Sequence, residues 1–174
     1  VGEILPTPRH GKPVEINAYW YSALRVMDAL ATRLGLDAAD YAALAGRVRE
    51  AFIPAFWMEE KHCLRDVISG TAADKQIRCN QIWALTQPFT MLDADMERAV
   101  VDAVYAHLYT PCGLRTLSPE DPQYHGVYEG VQKERDMAYH QGTVWPFPLG
   151  AYYLAYLKVH GHSPEAVQAV REAL

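Results

Sequence analysis

Apolar residues recur at helical spacing along most of the chain, and segments rich in glycine, proline and charge separate these periods. The first period begins at Ile16 and ends before Gly35, a residue type that commonly follows a helix C-terminus. Asp37 can cap a second helix, for which Pro54 is a natural end. These two helices predict an antiparallel hairpin. The apolar face predicted for the first helix consists of Ile16, Tyr19, Trp20, Ala23, Met27, Leu30 and Leu34.

Four further helices are predicted from spacing and capping residues. A third runs from Asn80 to Thr86, and Asp93 caps a fourth. A fifth begins at Trp145 or Pro146, and its sequence is apolar almost all round, so it is predicted to be buried on every side. Ser163 caps a sixth. Four aromatic residues on or beside these helices are predicted to pack in the core; they are Trp20, Tyr21, Trp57 and Trp83.

Three long polar segments, at residues 1–15, 55–81 and 110–150, each precede the first helix of a predicted pair. If the pairs lie side by side, all three segments emerge on one rim. This arrangement predicts an all-α fold, an α/α toroid in which inner helices form a barrel and outer helices cover it. Three hairpins make about half of such a six-pair ring. A half ring leaves its inner helices without neighbours, so we expect further sequence or self-association to cover them.

The third polar segment, residues 110–150, combines aromatic residues with carboxylates, amides and guanidinium groups. Sugars need this mixture, because a sugar ring has an apolar face that stacks on aromatic rings and an edge of hydroxyls that hydrogen-bonds to polar groups. The segment therefore suggests a polyol site. The alternative is a loop that packs its aromatic residues on the domain and leaves its charges in solvent.

Bulk properties exclude several classes of partner. At 174 residues and 19.6 kDa, the chain suits a single domain. Its net charge of -5 argues against nucleic acid and anionic membranes, and no apolar run reaches the length of a membrane span. The three cysteines form no C-x-x-C pair, so neither zinc nor disulfides are predicted and the default location is the cytoplasm. The opening residue is Val1 rather than methionine, which suggests an excerpt of a longer protein.

Five segments carry a resemblance to a known family. They are TPRHGKPVEINAYWYSAL at 7–24, the pair Asp66 and Val67, IRCNQIWAL at 77–85, TPCGLRTLSPEDPQYHGVYEG at 110–130, and RDMAYHQGTVWPFPLGAYYLAY at 135–156. In this order they resemble the C-terminal glucosidase domain of glycogen debranching enzymes, the amylo-α-1,6-glucosidase family. One departure is Cys79, where the family pattern has proline.

The resemblance implies an (α/α)6 barrel that needs no cofactor and hydrolyses α-1,6-linked glucose in glycogen-like α-glucan, and residues 1–174 would form a part of that barrel. Inverting hydrolysis requires an acid and a base whose carboxyl groups are roughly 6.5 to 9.5 Å apart. The family places the acid in a W-M-D-A-like motif and the base in an E-I-F-D-G-like motif, and this sequence contains neither. We therefore expect the chain to be inactive alone. Asp136 and Glu15 are secondary candidates, and the alternative is that both hold arginines or lysines in place.

The same resemblance suggests roles for residues of the three polar segments. Two aromatic residues would stack on sugar faces, carboxylates and amides would bind hydroxyls, and cationic groups would donate to hydroxyls or orient carboxylates. The candidates are Arg9, Lys12, Glu15, Asp66, Asn80, Gln81, Arg115, Asp136, Tyr139, His140, Gln141 and Trp145. For any of them, the alternative is a capping or bracing role.

Two other hypotheses about the function of the chain remain open. The chain could be a non-catalytic carbohydrate-binding or assembly fragment that keeps the cleft of its relatives. It could also belong to another toroid glycosidase, such as a trehalase or glucoamylase relative. Motifs with metal-ligand spacing are missing from the sequence, so no metal site is predicted.

Overall fold

The computed structural model describes residues 6–70 and 72–174, and it is mostly helical. Residues 1–5 of the first polar segment lie outside the described residues. The helices are α1 (Val14–Arg33), α2 (Ala39–Phe56), a 3₁₀ helix (Cys79–Ala84), α3 (Ala94–Leu108), α4 (Gln132–Tyr139), α5 (Phe147–Val159) and α6 (Pro164–Ala173). The expectation of a mainly helical chain is therefore confirmed.

The polar segments contain short strands that an all-α prediction does not include. Each strand has two or three residues, too few for an alternating pattern to be recognised in the sequence. They are β1 (Lys12–Pro13), β2 (Trp57–Met58), β3 (Cys63–Leu64), β4 (Val67–Ser69), β5 (Ala72–Ala73), β6 (Tyr109–Thr110), β7 (Gly113–Arg115) and β8 (Val144–Trp145). They form three antiparallel sheets, β1-β4-β5, β2-β3 and β6-β7-β8.

The first hairpin packs α1 against α2, as the apolar periods predict. The predicted cap, Asp37, lies one residue before the observed N-cap Ala38, and its Oδ1 accepts a hydrogen bond from the Ala39 amide at 3.0 Å. The expected end at Pro54 is wrong, because α2 continues to Phe56. A proline in the last turn removes only one backbone donor, and the Trp57 amide still donates to Ile53 O.

The remaining helices include one that is shorter than expected and one that is new. The predicted third helix is a 3₁₀ helix of six residues, which packs against α1, α3 and α5. Asp93 and Ser163 cap α3 and α6 as predicted, accepting from the amides of Met96 and Ala166. Helix α4 was not predicted. Its sequence QKERDMAY buries a single residue, Ala138, so it has no apolar period.

The apolar face predicted for α1 lies at the surface. Its residues Trp20, Met27 and Leu30 are 50%, 43% and 48% exposed, and the buried positions on this helix include Tyr21 and Leu24 instead. The prediction that Trp20 packs in the core is therefore wrong. Both faces of α1 carry apolar residues, and within residues 6–70 and 72–174 only one of them is covered.

Helix α5 shows the same arrangement. Phe147 and Leu154 are 67% and 60% exposed, whereas Ala151, Tyr152 and Ala155 are buried. The prediction that α5 is buried on every side is therefore wrong for one of its faces. In both helices the sequence has the composition of a buried element, but the described chain provides neighbours for part of the surface only.

The three polar segments contact one another in the folded chain. Strand β1 of the first segment pairs with β4 of the second, with Pro13 opposite Val67. Gly11 lies close to β4 at φ +113°, and a Cβ atom there would approach the carbonyl oxygen of Ile68 to 2.2 Å. The third segment joins through the Ser118 amide, which donates to Ile77 O at 3.0 Å. Polar residues far apart in sequence are thereby brought together.

In the residues that the structure describes, helices long enough to cross a bilayer all lack the required apolar character.

Candidate functional site

The guanidinium group of Arg9 joins the first and second polar segments. Its Nη1 and Nη2 donate to the two carboxylate oxygens of Glu15, each at 2.7 Å. Its Nε donates to Asp66 Oδ2 at 2.6 Å, and Nη2 reaches Asp66 Oδ1 at 3.1 Å. The Asn80 amide also donates to Asp66 Oδ1, at 2.9 Å. Paired, charge-assisted bonds of this kind hold each group in one orientation.

A second arginine, Arg78, ties in the third segment. It is 4% exposed, and its Nη groups donate to His140 O at 2.6 Å and to Gln141 Oε1 at 2.5 Å. Its Nε lies 4.0 Å from Asp66 Oδ2. Arg78 is absent from the sequence-based candidates, although it lies in the family-like IRCNQIWAL segment that contributed Asn80 and Gln81. Its position inside that segment is the signal that could have indicated it.

Burial and neighbouring negative charge shift the pKa values of the two arginines in opposite directions. Burial lowers the pKa of Arg9, but hydrogen bonds and charge from Glu15 and Asp66 outweigh it, so the pKa is raised. Burial dominates for Arg78, and its pKa is lowered. Because an arginine pKa starts above 12, both side chains remain cationic. Buried carboxylates are thus matched by fixed positive charge, which is the condition under which they are tolerated.

Three cavities lie side by side along this convergence of segments. The first, of about 290 Å³, is lined by Arg9, Arg78 and Asn80. The second, of about 410 Å³, is lined by Asp136 and Lys133 among others, and it shares Thr7 and His140 with the first. The third, of about 270 Å³, is lined by Trp145 and shares Tyr128 and Tyr139 with the second. We call the combined depression the cleft.

Aromatic rings form one wall of the cleft. The ring of Tyr139 meets Trp145 edge-on at 4.7 Å between centroids and Tyr128 at 5.7 Å. The His140 ring stacks toward Trp145 at 6.3 Å. The wall continues beyond Trp145 to Phe147 at 6.2 Å. Tyr128 and Phe147 are missing from the sequence-based candidates. Both are aromatic residues in the family-like segments, but composition does not reveal which rings are exposed.

Backbone geometry fixes the position of Trp145. It belongs to β8 and pairs with Leu114 of β7. Gly113, at φ +155°, lies so close that a Cβ atom there would approach the Trp145 carbonyl oxygen to 2.3 Å. The indole Nε1 of Trp145 donates to Tyr139 O at 3.0 Å. Strand pairing and one hydrogen bond therefore orient the indole without a ligand.

Six of the predicted substrate residues line the cleft. They are Arg9, Asn80, Asp136, Tyr139, His140 and Trp145. Two further candidates, Glu15 and Asp66, lie directly behind Arg9 and hold it in place. For these two carboxylates the bracing alternative describes the observed contacts.

Four predicted substrate residues lie elsewhere. Gln81 is 1% exposed, and its amide accepts from the Leu64 amide and donates to Arg78 O, so it braces the backbone. Gln141 is buried and bonded to Arg78. The Arg115 side chain donates to Tyr109 O, and Lys12 is exposed on β1 without lining any of the three cavities. Direct sugar contact by Gln81 and Gln141 stays a prediction, and in this structure their amides are hydrogen-bonded to protein groups.

His140 occupies the junction between the first two cavities. Burial, followed by the positive charges of Arg78 and Arg9, lowers the pKa of its imidazole. A neutral imidazole offers one donor and one acceptor, which suits a sugar hydroxyl that does both.

Across residues 6–70 and 72–174, histidines, cysteines and carboxylates do not form groups of three suited to a metal ion.

A family model described as amylo-alpha-1,6-glucosidase matches residues 1–174. The chain belongs to the amylo-alpha-1,6-glucosidase family. The resemblance inferred from the five sequence segments is thereby confirmed. Membership of this family relates the chain to glycogen debranching and to glycosidases, and the cleft is where the family-like segments meet.

Among solved structures, the chain is similar to one described as a sialidase. The TM-score is 0.70, the sequence identity is 17%, and the match covers 94% of this chain and 15% of that chain. An identity this low indicates a shared fold alone. The chain spans about 15% of the length of the structure it matches.

Proposed function

We propose that this chain forms part of the substrate cleft of an enzyme that hydrolyses α-1,6-linked glucose at branch points of a glycogen-like α-glucan. The observation that carries the proposal is the composition of one cleft, whose adjoining cavities are lined by the rings of Tyr139 and Trp145, by a carboxylate, Asp136, and by an amide, Asn80. Stacking surfaces beside hydroxyl-binding groups are what a neutral sugar requires. The family match supplies the choice of α-glucan.

The surrounding fold is half of an (α/α)6 toroid. Two features support this: the 3₁₀ helix packs between α1 and α5, as successive inner elements would, and α2, α3 and α6 each follow one of these elements in the chain. The uncovered apolar faces of α1 and α5 would then point toward the missing half of the ring. Either the remainder of a parent barrel or a second copy of the chain covers them.

The reaction is an inverting hydrolysis, in which one carboxyl protonates the leaving oxygen and another activates water. Asp136 lines the cleft and is available to a ligand. Both oxygens of Glu15 are engaged by Arg9, which favours a positioning role for that residue. Since the family motifs for acid and base are missing from this sequence, the chain alone holds substrate without cleaving it.

A second candidate function is carbohydrate binding without catalysis. The ion pairing of Glu15 and Asp66 with Arg9 favours it, because two of the carboxylates closest to the cleft serve to hold an arginine. Release of glucose from a singly branched oligosaccharide by the enzyme that contains this chain would decide for hydrolysis. Binding of the same oligosaccharide without glucose release would decide for the second candidate.

The cleft itself is tested by removing its aromatic wall. Trp145→Ala is expected to weaken binding of a glucose-configured iminosugar about fivefold, since aromatic stacking contributes on the order of 1 kcal/mol. Isothermal titration calorimetry measures the affinity. Trp20→Ala is the matched control, because Trp20 is a half-exposed tryptophan on α1 that lines none of the three cavities. Equal affinity for both variants would contradict the assignment of the cleft.

A further inference from the structure

A second concave surface lies away from the cleft, between α3, α5 and α6. It encloses about 370 Å³, within the range of roughly 300 to 1,000 Å³ found for small-molecule sites. Five of the chain's eleven tyrosines line it, together with small apolar residues and one carboxylate, Asp102. We call it the tyrosine cavity. Its tyrosines are Tyr105, Tyr109, Tyr152, Tyr153 and Tyr156.

The rings of the tyrosine cavity form a continuous surface. Tyr105 is 59% exposed and stacks toward buried Tyr152, with centroids 6.5 Å apart and planes inclined by 20°. Tyr109 lies between them, at 5.1 Å from Tyr105 and 5.3 Å from Tyr152. A large exposed ring supported from behind by other rings has little freedom to lose when a ligand stacks on it. The surface is therefore preorganised for a flat, partly apolar ligand.

Its polar groups are hydroxyls and one carboxylate. The hydroxyls of Tyr109 and Tyr153 lie 3.0 Å apart, and Asp102 is exposed three residues before Tyr105 on α3. Burial raises the pKa of Tyr152, and burial followed by the Tyr109 hydrogen bond raises the pKa of Tyr153 to about 12, so these phenols stay neutral. The lining residues of this cavity, in the described part of the chain, include neither lysine nor arginine. Such a site disfavours anions and suits a neutral polyol.

We propose that the tyrosine cavity is a second carbohydrate site, which binds a linear α-1,4-linked stretch of the glucan whose branch point enters the cleft. The choice of α-glucan rests on the proposed function, whereas the preference for a neutral sugar rests on the cavity alone. A polymer held at one site raises its own effective concentration at another. The tyrosine cavity thus increases the occupancy of the cleft by long substrates more than by short ones.

Titration of the full chain with a maltoheptaose that carries one α-1,6-linked glucose tests the proposal in an isothermal calorimeter. We expect two binding sites per chain for the wild type. Tyr105→Ala removes the exposed stacking ring and is expected to weaken one of them about fivefold, the equivalent of roughly 1 kcal/mol of aromatic contact. Tyr105→Phe keeps the ring and serves as the matched control, with binding close to wild type. Ala169→Trp fills the cavity without removing core atoms and is expected to abolish the same site.

The outcomes separate this inference from the function of the cleft. Unchanged binding in both Tyr105→Ala and Ala169→Trp, with a loss in Trp145→Ala, would overturn the second site and leave the cleft standing. A loss in the first two variants, with no change in Trp145→Ala, would support the tyrosine cavity and contradict the cleft. A wild-type chain that fails to bind this branched maltoheptaose would overturn both sites. Thermal melting of each variant checks that a loss of binding is not a loss of folding.

Discussion

The two ends of the cleft are built in opposite ways. At one end Arg9, Glu15, Asp66 and Asn80 satisfy one another through hydrogen bonds, and Asp66 is 2% exposed. At the other end aromatic rings stand at the surface, with Tyr139 more than a third exposed. The polar end has already used most of its donors and acceptors within the protein, whereas the faces of the exposed rings remain free for a ligand.

This difference indicates that the polar end holds the chain segments in position and that the aromatic end is available to bind a ligand. Charges that neutralise each other inside the protein fix the relative positions of three chain segments, and they do so only as a complete set. Exposed aromatic faces contribute little to folding but are available to stack on a sugar. We therefore expect substitutions at the polar end to lower stability first, and substitutions at the aromatic end to lower affinity with little effect on stability.

The largest effect is expected from Asp66→Ala. It leaves Arg9 and the Asn80 amide without their shared acceptor and brings two arginines together without a carboxylate between them. Removing one partner of a buried ion pair lowers the free energy of unfolding by about 3 kcal/mol or more. Urea denaturation monitored by circular dichroism measures the free energy of unfolding. The control is Glu50→Ala on the exposed side of α2, with an expected change within about 0.5 kcal/mol. Similar free energies of unfolding for the two variants would contradict the stabilising role of the polar end of the cleft.

An intermediate effect is expected from Asp136→Asn, at the middle of the cleft between the two ends. In an enzyme of the proposed function that contains this chain, hydrolysis of the branch linkage should fall at least about tenfold, or roughly 1.4 kcal/mol of transition-state stabilisation. The change preserves size and lies in a partly exposed turn of α4, so stability should stay close to wild type. Release of glucose from a branched dextrin provides the rate. Wild-type kinetics would exclude Asp136 from the site.

The smallest effect is a pH dependence at His140, where the two ends meet. Its pKa in the folded protein is lowered below the ordinary value near 6.5. As the pH falls through that value, the unfolded chain binds a proton that the folded chain does not, so the free energy of unfolding decreases. The decrease stops below the lowered pKa. His140→Gln should reduce the dependence of the free energy of unfolding on pH relative to wild type. For each protein, the value at pH 8 serves as the reference. An unchanged pH dependence would contradict the lowered pKa of the His140 imidazole.

Local signals in the sequence were sufficient for the long helices. Asp93 and Ser163 accept from the first-turn amides of α3 and α6, as their residue types indicate. The sequence could not indicate which apolar face of α1 is covered, because burial depends on neighbours rather than on periodicity. For the same reason the sequence predicts Trp20 in the core, although it is half exposed. Helix α4 was missed since a mostly polar helix on the surface carries no apolar period.

For the candidate site, too, the sequence reveals some properties and not others. Residue types suited to sugar binding are recognisable in the sequence, and Asp136, Tyr139 and Trp145 line one cleft, whereas their contact with sugar stays a prediction. The polar partners of each group were not recognisable. Gln81 and Gln141 have the chemistry to bind hydroxyls, yet their amides are consumed by Leu64 and Arg78. Hydrogen-bond satisfaction is a property of the folded chain, so it separates a contact residue from a brace only after the segments have met.

The uncovered face of α1 determines how this chain behaves in a test tube. Large side chains such as Ile16, Leu30 and Leu34 lie in water along almost the whole helix. Apolar area of this kind adheres to any surface that removes it from solvent, including column resins, detergent and other copies. The diffusion coefficient of the chain is therefore expected to fall as its concentration rises, and mild non-ionic surfactant should reverse the fall.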